Sequence, residues 1–266
     1  MSKILEVENL VKKYGDNYAV KNVSFSVNEG EVLAIIGSSG SGKSTVLRCI
    51  NQLEKIDGGN IKICGESMIK KVKTVNNLPK KYNKKKNKAI YADKETLNKM
   101  NLECGMVFQN FNLFPHLSVL DNVTEAMIQV LNKSKDEAEK EGIKILTRMG
   151  LESKINQYPC NLSGGEQQRA SIARTLAINP KIIFMDEPTS ALDPELVGEV
   201  LKVVKQLASE KRTMVIVTHE ISFAREIADR VIFMSNGEII EQGKPEEVID
   251  NPTKERTKEF LKRYLK

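Results

Sequence analysis

The sequence predicts an α/β fold with a mostly parallel sheet, a small antiparallel β layer and an inserted helical subdomain. Short apolar runs of strand length recur along the 266-residue chain and alternate with helical patterns, which is typical of parallel sheets. The opening of the chain instead alternates apolar and polar residues, and residues 120–151 contain few strand formers. We therefore expect a single domain over residues 1–266, with the helical subdomain at about 110–165.

The first predicted elements are two neighbouring antiparallel strands at residues 5–14 and 19–28. In the second strand, Val23, Phe25 and Val27 alternate with polar residues, so one face of the strand is apolar. This alternation favours a two-sided sheet with one solvated face. The pair would form the antiparallel layer beside the main sheet.

The main sheet is predicted from apolar runs that lack such alternation, because parallel strands are buried on both faces. The run at 32–36 leads into a glycine-rich loop and a helix from Lys43 to about Leu53. Further strands are expected at residues 61–64, 182–185, 213–218 and 231–234. The tail, residues 255–265, places Phe260, Leu261, Tyr264 and Leu265 on one helical face.

Several classes of protein are disfavoured by composition. No apolar run reaches the eighteen or so residues of a membrane span, so we expect the chain not to cross a bilayer. The N-terminus lacks the pattern of a secretory signal or transit peptide. Cys49, Cys64, Cys104 and Cys160 have no C-x-x-C spacing, which argues against a zinc site or a disulfide framework and favours a reducing cytosol.

The net charge of +6 comes from one lysine-rich insertion, residues 70–88, which contains nine lysines and no acid. Without these lysines the chain has 32 basic and 35 acidic residues, a net charge of −3. A nucleic-acid patch would interleave aromatic residues, and here only Tyr82 is present. We therefore expect a mobile, solvated excursion away from the phosphates, with binding to anionic lipid headgroups as the alternative.

The motif GSSGSGKST follows the strand at 32–36 and precedes a helix, and it fits the phosphate-loop pattern G-x-x-x-x-G-K-[ST]. Small residues let backbone N–H groups converge on a polyphosphate at a helix N-terminus. Lys43 would reach the β- and γ-phosphates, and the Ser44 hydroxyl would hold Mg²⁺. The predicted nucleotide ligands here are Gly37, Ser38, Ser39, Gly40, Ser41, Gly42, Lys43, Ser44 and Thr45.

A second motif, IIFMDEP, follows about 140 residues after Lys43. Its apolar strand ends at Asp186, where a carboxylate could hold Mg²⁺ through water, and Glu187 could polarise an attacking water. Together with the phosphate loop it predicts an ATPase. No N-K-x-D motif is present to recognise guanine, which argues against a GTPase.

The run LSGGEQQRASIARTL, residues 162–176, places a Ser-Gly-Gly turn before a helix. A second anion-binding helix N-terminus is redundant unless it serves a nucleotide held by another molecule. This run closely resembles the signature sequence of ATP-binding cassette ATPases. The order and spacing of the motifs extend the resemblance over nearly the whole chain.

The resemblance implies roles for several further residues. Gln109, in GMVFQ, resembles the Q-loop glutamine that touches Mg²⁺ or water and reports on the transmembrane partner. His219 is similar to the switch histidine that contacts the γ-phosphate, and Tyr14 is placed like the aromatic residue that stacks on adenine. Residues 190–193 are similar to the D-loop. The residues implied to contact a nucleotide held by a second chain are Ser163, Gly164, Gly165, Gln168 and Asp193.

The resemblance also implies a mechanism and partners. Two cassettes, most simply identical chains, would face each other head to tail with ATP and Mg²⁺ between them. The stretches FQNFNLFPHLSVLDNV, DPELVGEVL and NPTKERTKEFL resemble the polar amino-acid importer subgroup. The implied partners are integral-membrane permease subunits and, indirectly, an extracytoplasmic substrate-binding protein, at the cytoplasmic face of the membrane and without nucleic acid. An exporter, or a DNA or translation machine, is the alternative.

Overall fold

The computed structural model describes residues 2–72 and 89–263. Its strands are β1 (Lys3–Tyr14), β2 (Asn17–Asn28), β3 (Val32–Ile36), β4 (Gly58–Ile63), β5 (Glu66–Ser67), β6 (Ile69–Val72), β7 (Ala89–Tyr91), β8 (Cys104–Val107), β9 (Ile182–Asp186), β10 (Thr213–Val217), β11 (Arg230–Ser235) and β12 (Glu238–Gly243). Its helices are α1 (Lys43–Ile50), α2 (Lys94–Leu102), α3 (Val119–Gln129), α4 (Lys135–Arg148), α5 (Gly164–Ala177), α6 (Pro194–Ser209), α7 (Ile221–Ile227) and α8 (Glu255–Leu261). No helix of the described part is both long and apolar enough to cross a membrane.

The main sheet has six strands in the order β12-β11-β3-β10-β9-β8. All pairings are parallel except β11–β12, which is antiparallel. Every residue of β3, β9 and β10 is buried, which explains why their sequences are continuous apolar runs. The predicted α/β fold is confirmed, and the carboxyl ends of these three strands meet at one edge of the sheet.

The predicted antiparallel layer is a four-stranded sheet in the order β2-β1-β4-β5. The β1–β2 pairing runs from Lys3 opposite Asn28 to Tyr14 opposite Asn17, so the two strands form one long hairpin. Buried residues of this layer, including Leu5, Leu10 and Val23, pack with α1 and one face of the main sheet.

The helices of the predicted subdomain begin at well-formed caps. Ser118 accepts a hydrogen bond from the Asp121 amide at the start of α3, and Ser134 forms a reciprocal capping box with Glu137 at the start of α4. Buried residues of α3 and α4 belong to the same hydrophobic cluster as inward-facing residues of β9 and β10. These helices therefore share a core with the main sheet.

Two helices have C-terminal ends that differ from the predicted ones. The helix expected to reach Leu53 ends at Ile50, because Asn51 turns its side-chain amide back onto the Leu47 carbonyl and Gln52 adopts a φ of 58°. Leu53 is consequently 54% exposed. The tail helix, expected over 255–265, is described as α8 over Glu255–Leu261; of the last residues, 264–266 lie outside the described part.

The lysine-rich insertion leaves and rejoins the fold through a short antiparallel ladder. Strands β6 and β7 pair with Val72 opposite Ala89, and Lys70 forms an ion pair with Asp93. Residues 73–88 lie outside the described residues, so their predicted mobility stays a prediction. The ladder brings the two ends of the segment to adjacent positions.

We expect replacement of residues 73–88 by an Asn-Gly turn to leave ATP affinity and basal ATPase nearly unchanged. A two-residue turn closes an antiparallel ladder with little strain, and Val72 and Ala89 already face each other. Calorimetric ATP titration and steady-state phosphate release would check this. The lipid alternative predicts that the chain co-sediments with anionic vesicles and that added salt weakens this binding. Each lysine near the membrane surface would contribute about 1 kcal/mol to the binding free energy, and the shortened chain would no longer bind.

Candidate functional site

The site lies where three adjacent parallel strands end. The loop after β3 begins at Gly37, β9 ends at Asp186 with Glu187 next, and His219 follows β10 by two residues. Since β10 lies between β3 and β9, the polar residues after all three strands converge on one edge. Ligands of open α/β sheets bind at the carboxyl ends of the strands.

The phosphate loop needs glycine at two positions, because at each of them another part of the backbone lies too close for a side chain. A side chain at Gly37, whose φ is 149°, would place its Cβ 2.2 Å from the Met234 carbonyl oxygen. A side chain at Gly42, with φ 98°, would place its Cβ 2.4 Å from the Ala19 carbonyl oxygen. Gly42 also caps α1 without a side-chain hydrogen bond, so the first amides of this helix are open to an anion.

Lys43 is the buried cation of the loop, with only 4% of its side chain exposed. Its Nζ donates to the Gly37 carbonyl at 2.9 Å and to the Ser38 carbonyl at 3.1 Å. Burial lowers the pKa of Lys43, while the nearby Glu187 carboxylate opposes that shift. Two loop carbonyls and the Glu187 carboxylate therefore hold the ammonium inside the loop.

Ser44 and Asp186 form an oxygen pair beside the loop. The Ser44 hydroxyl donates to Asp186 Oδ1 at 2.6 Å. Burial raises the pKa of Asp186, and the hydrogen bond from Ser44 acts against this rise. A hydroxyl and a carboxylate are oxygen ligands of the kind that Mg²⁺ takes in nucleotide sites, where waters and phosphates complete the octahedron. The donor set thus fits a magnesium ion.

Glu187 has an unusual backbone conformation. Its φ of 48° is in the left-handed region, which non-glycine residues seldom adopt and which is concentrated at functional sites. Its Oε1 lies 2.7 Å from His219 Nε2 and 3.8 Å from Lys43 Nζ. The hydrogen bond with His219 is the main cause of a lowered Glu187 pKa, with burial acting against it. The carboxylate is therefore ionised near neutral pH.

The signature turn forms a separate surface. Ser163 caps α5 and forms a capping box with Glu166, and its neighbours Gly164 and Gly165 pack against Leu192 and Leu196. Among the described residues, no hydrogen bond or ion pair joins this turn to the phosphate loop. Asp193 is exposed at the N-cap of α6, close to the turn. The structure thus brings Lys43, Ser44, Asp186, Glu187 and His219 together and leaves the signature turn and Asp193 apart.

Two predicted glutamines have different environments. Gln109 is exposed in the turn after β8, next to β9 in the sheet. Gln168 is fully buried, and its Nε2 donates to the Phe108 carbonyl at 3.3 Å. Gln168 shares the buried face of α5 with Ser171, Ile172 and Thr175. Its predicted contact with a nucleotide held by a second chain stays a prediction.

A cleft of about 550 Å³ adjoins the phosphate loop at Gly40. Its other lining residues are Asp16, Asn17, Tyr18, Lys21, Asn236 and Gly237. Tyr14 is not among them, although it is 46% exposed and has Lys12 Nζ 4.8 Å from its ring centre. Tyr18 lines this cleft, and Lys13 Nζ lies 4.1 Å from the centre of its ring. A larger cavity of about 620 Å³ beside β12 contains none of the site residues.

We expect Gly37→Ala to lower the free energy of unfolding by about 1–3 kcal/mol, because its Cβ would overlap the Met234 carbonyl and the loop would have to shift. ATP affinity should fall with it. Chemical denaturation and calorimetric titration would measure both. Gly198→Ala is the matched control: nothing lies within 4 Å of that position on α6, so it should stabilise the chain by about 0.5–1 kcal/mol. Equal effects from the two variants would contradict the packing argument.

Comparison with known proteins agrees with this geometry. Residues 20–190 match the family model for ABC transporters. The chain is 49% identical to the histidine/lysine/arginine/ornithine transport ATP-binding protein of Escherichia coli, over 98% of each chain. It is 47% identical to the L-cystine import ATP-binding protein of Bacillus subtilis, over 98% of this chain and 99% of that protein. A solved dimeric ATP-binding cassette in a post-hydrolysis state with ADP and Pi aligns with a TM-score of 0.74 and 36% identity, covering 91% of this chain and 98% of its own. This chain therefore belongs to the ABC transporter family, as one of its ATP-hydrolysing cassettes.

Proposed function

We propose that this chain is the ATPase subunit of an importer for a polar amino acid. The observation that carries the proposal is the cluster of Lys43, Ser44, Asp186, Glu187 and His219 at one sheet edge. It supplies phosphate-binding, metal-binding and proton-accepting groups within reach of one another. The names of the relatives that transport basic amino acids or cystine support the amino-acid cargo.

Each residue of the cluster has a distinct role in the proposed reaction. The loop amides and Lys43 bind the β- and γ-phosphates. Ser44 and Asp186 would hold Mg²⁺, with Gln109 as a further candidate for contact. The bound ion would neutralise charge on the phosphates. Glu187 accepts a proton from the attacking water, and His219 holds the Glu187 carboxylate and is proposed to contact the γ-phosphate.

The exposed signature turn completes the site of a second chain. Ser163 and the N-terminus of α5 present backbone amides and a capping hydroxyl that suit an anion. The phosphate loop already binds the nucleotide of its own chain, so the turn binds the nucleotide of a partner. The two cassettes would assemble head to tail with two-fold symmetry, an isologous arrangement that makes two identical composite sites.

The surface around residues 109–116 is the proposed contact with the permease. Phe111 and Asn112 both have positive φ, and Arg174 holds them by donating to their carbonyl oxygens. Phe114, beside this anchor, is 45% exposed. A rigid loop with an exposed aromatic residue suits a docking surface. Substrate choice would then lie in the permease and in an extracytoplasmic binding protein, with this chain peripheral at the cytoplasmic face.

The direction and cargo can be tested by purifying the tagged chain with its permease from native membranes and reconstituting the complex in liposomes. We expect MgATP-dependent transport of arginine, histidine or cystine in the import direction when binding protein is supplied. The Lys43→Ala complex is the control and should transport none. Transport in the opposite direction, or robust ATPase activity with no amino-acid transport, would contradict the importer assignment.

A further inference from the structure

The C-terminal helix α8 lies against the outer side of the phosphate loop. Phe260 of α8 is buried against Phe233 of β11, with the ring centres 5.0 Å apart. Arg256 donates from Nε to the Ser235 hydroxyl at 3.3 Å, which ties the start of the helix to the end of the same strand. Because β11 backs the loop at Gly37, the helix is positioned by the strand that supports the ATP site.

The gap between α8 and the loop is too small to be a ligand pocket. It measures about 20 Å³ and is lined by Ser38, Phe233, Arg256, Glu259, Phe260 and Arg263. Such a volume holds about one water molecule. The side chains of α8 beside Ser38 therefore form a surface and not a pocket. We call this surface the α8 ledge (Arg256, Glu259 and Arg263).

The ledge carries one cation without a partner. Arg256 is paired with Glu259 at 3.1 Å. Arg263 is exposed, and it forms no ion pair with any residue in the described part of the chain. An unpaired arginine beside an exposed phosphate loop is suited to an acid supplied from outside the chain.

The start of α6, next to the signature turn, carries acids without an ion-pair partner among the described residues. Gly164 and Gly165 of the signature turn pack against Leu192 and Leu196. Because of these contacts, we expect the start of α6 to keep its position beside the turn when the turn binds a partner. Asp193 and Glu195, at this helix start, are exposed and make no ion pair among the residues described. In the proposed head-to-tail dimer, the turn of one chain approaches the loop of the other. This approach would bring Asp193 and Glu195 of the first chain toward the α8 ledge of the second.

We propose that Arg263 of each chain pairs with Glu195 of a second copy when the ATP-bound dimer closes. This inference rests on the proposed composite site and adds the C-terminal helix to the interface. Charge complementarity between the unpaired arginine and the unpaired acid carries it. Two-fold symmetry repeats the pair, so each dimer contains it twice. The proposed role of the pair is to position the two chains.

The test measures dimer dissociation by analytical ultracentrifugation with MgATP, in full-length chains that carry Glu187→Gln to stop turnover. We expect Arg263→Glu to weaken the dimer by about tenfold, because two symmetric contacts become repulsive. Glu195→Arg should weaken the dimer similarly. In the chain with both changes the charges of the pair are reversed, so its dimer dissociation constant should return to within about threefold of that of the parent chain, which carries Glu187→Gln alone. Lys262→Glu is the matched control for charge, one residue away on the exposed surface, and should have little effect.

The outcomes separate this inference from the proposed function. If the parent dimerises with ATP and Arg263→Glu has no more effect than Lys262→Glu, the pair is absent while the composite site stands. Failure of the double variant to recover, with ATP binding and thermal unfolding midpoints unchanged, would also overturn it. If the parent itself does not dimerise with MgATP, the shared site and this inference fall together. An effect of Arg263→Glu seen only in the permease complex would assign the ledge to the permease instead.

Discussion

Glu187→Gln should reduce ATP turnover by about 10²-fold or more while leaving ATP binding intact, the scale expected when a general base is lost. Its carboxylate lies 2.7 Å from His219 Nε2 and 3.8 Å from Lys43 Nζ, so it is held at the mouth of the phosphate loop without forming part of it. The amide of glutamine keeps the size of the side chain but accepts no proton. We therefore expect the variant to accumulate as a closed, ATP-bound dimer.

Phosphate release under saturating ATP would measure the loss, and gel filtration with and without ATP would detect the closed dimer. Glu220→Gln is a matched control, because this exposed glutamate follows His219 directly and has no side-chain hydrogen bond at its helix N-cap. It should retain normal turnover. Near-normal activity in Glu187→Gln would remove the general-base assignment.

The candidate site residues that sequence could predict are those whose chemistry depends on the local backbone. Gly37 and Lys43 lie in one contiguous loop, and Asp186 and Glu187 lie together at a strand end, so each motif carries its own geometry. Their proximity follows from the rule that parallel strands end at a common sheet edge. The position of His219 came from the family resemblance alone, and the 2.7 Å contact with Glu187 supplies its physical reason.

Other features depend on contacts that no local pattern reveals. The hydrogen bond from Gln168 of α5 to the Phe108 carbonyl joins residues 60 positions apart, which the sequence of α5 alone does not show. Strand β12 was missed because its sequence, EIIEQG, is polar and only partly buried, as expected for a sheet edge. Strand β8, with four residues, is too short for its periodicity to be recognised.

Mixing a Lys43→Ala chain with a Ser163→Arg chain should restore ATPase activity that neither chain has alone. In a mixed dimer, one composite site combines the two damaged parts, while the other combines an intact phosphate loop with an intact signature turn. Random pairing of equal amounts makes about half of the dimers mixed, each with one competent site. If the two sites act independently, the mixture should reach roughly a quarter of the activity of the unmodified chain.

The Ser163→Arg substitution also removes a helix cap, so the stability of this variant must be controlled. Ser163 caps α5 by accepting a hydrogen bond from the Glu166 amide at 3.2 Å, so its loss should cost about 1 kcal/mol of stability. Unfolding midpoints must therefore show that the Ser163→Arg chain is folded. A chain carrying both changes, mixed with Lys43→Ala, contains no intact loop and should remain inactive under the same conditions. If the two single variants fold and dimerise with ATP but stay as inactive as this control, each site is closed within one chain, and the signature turn of the partner has no part in hydrolysis.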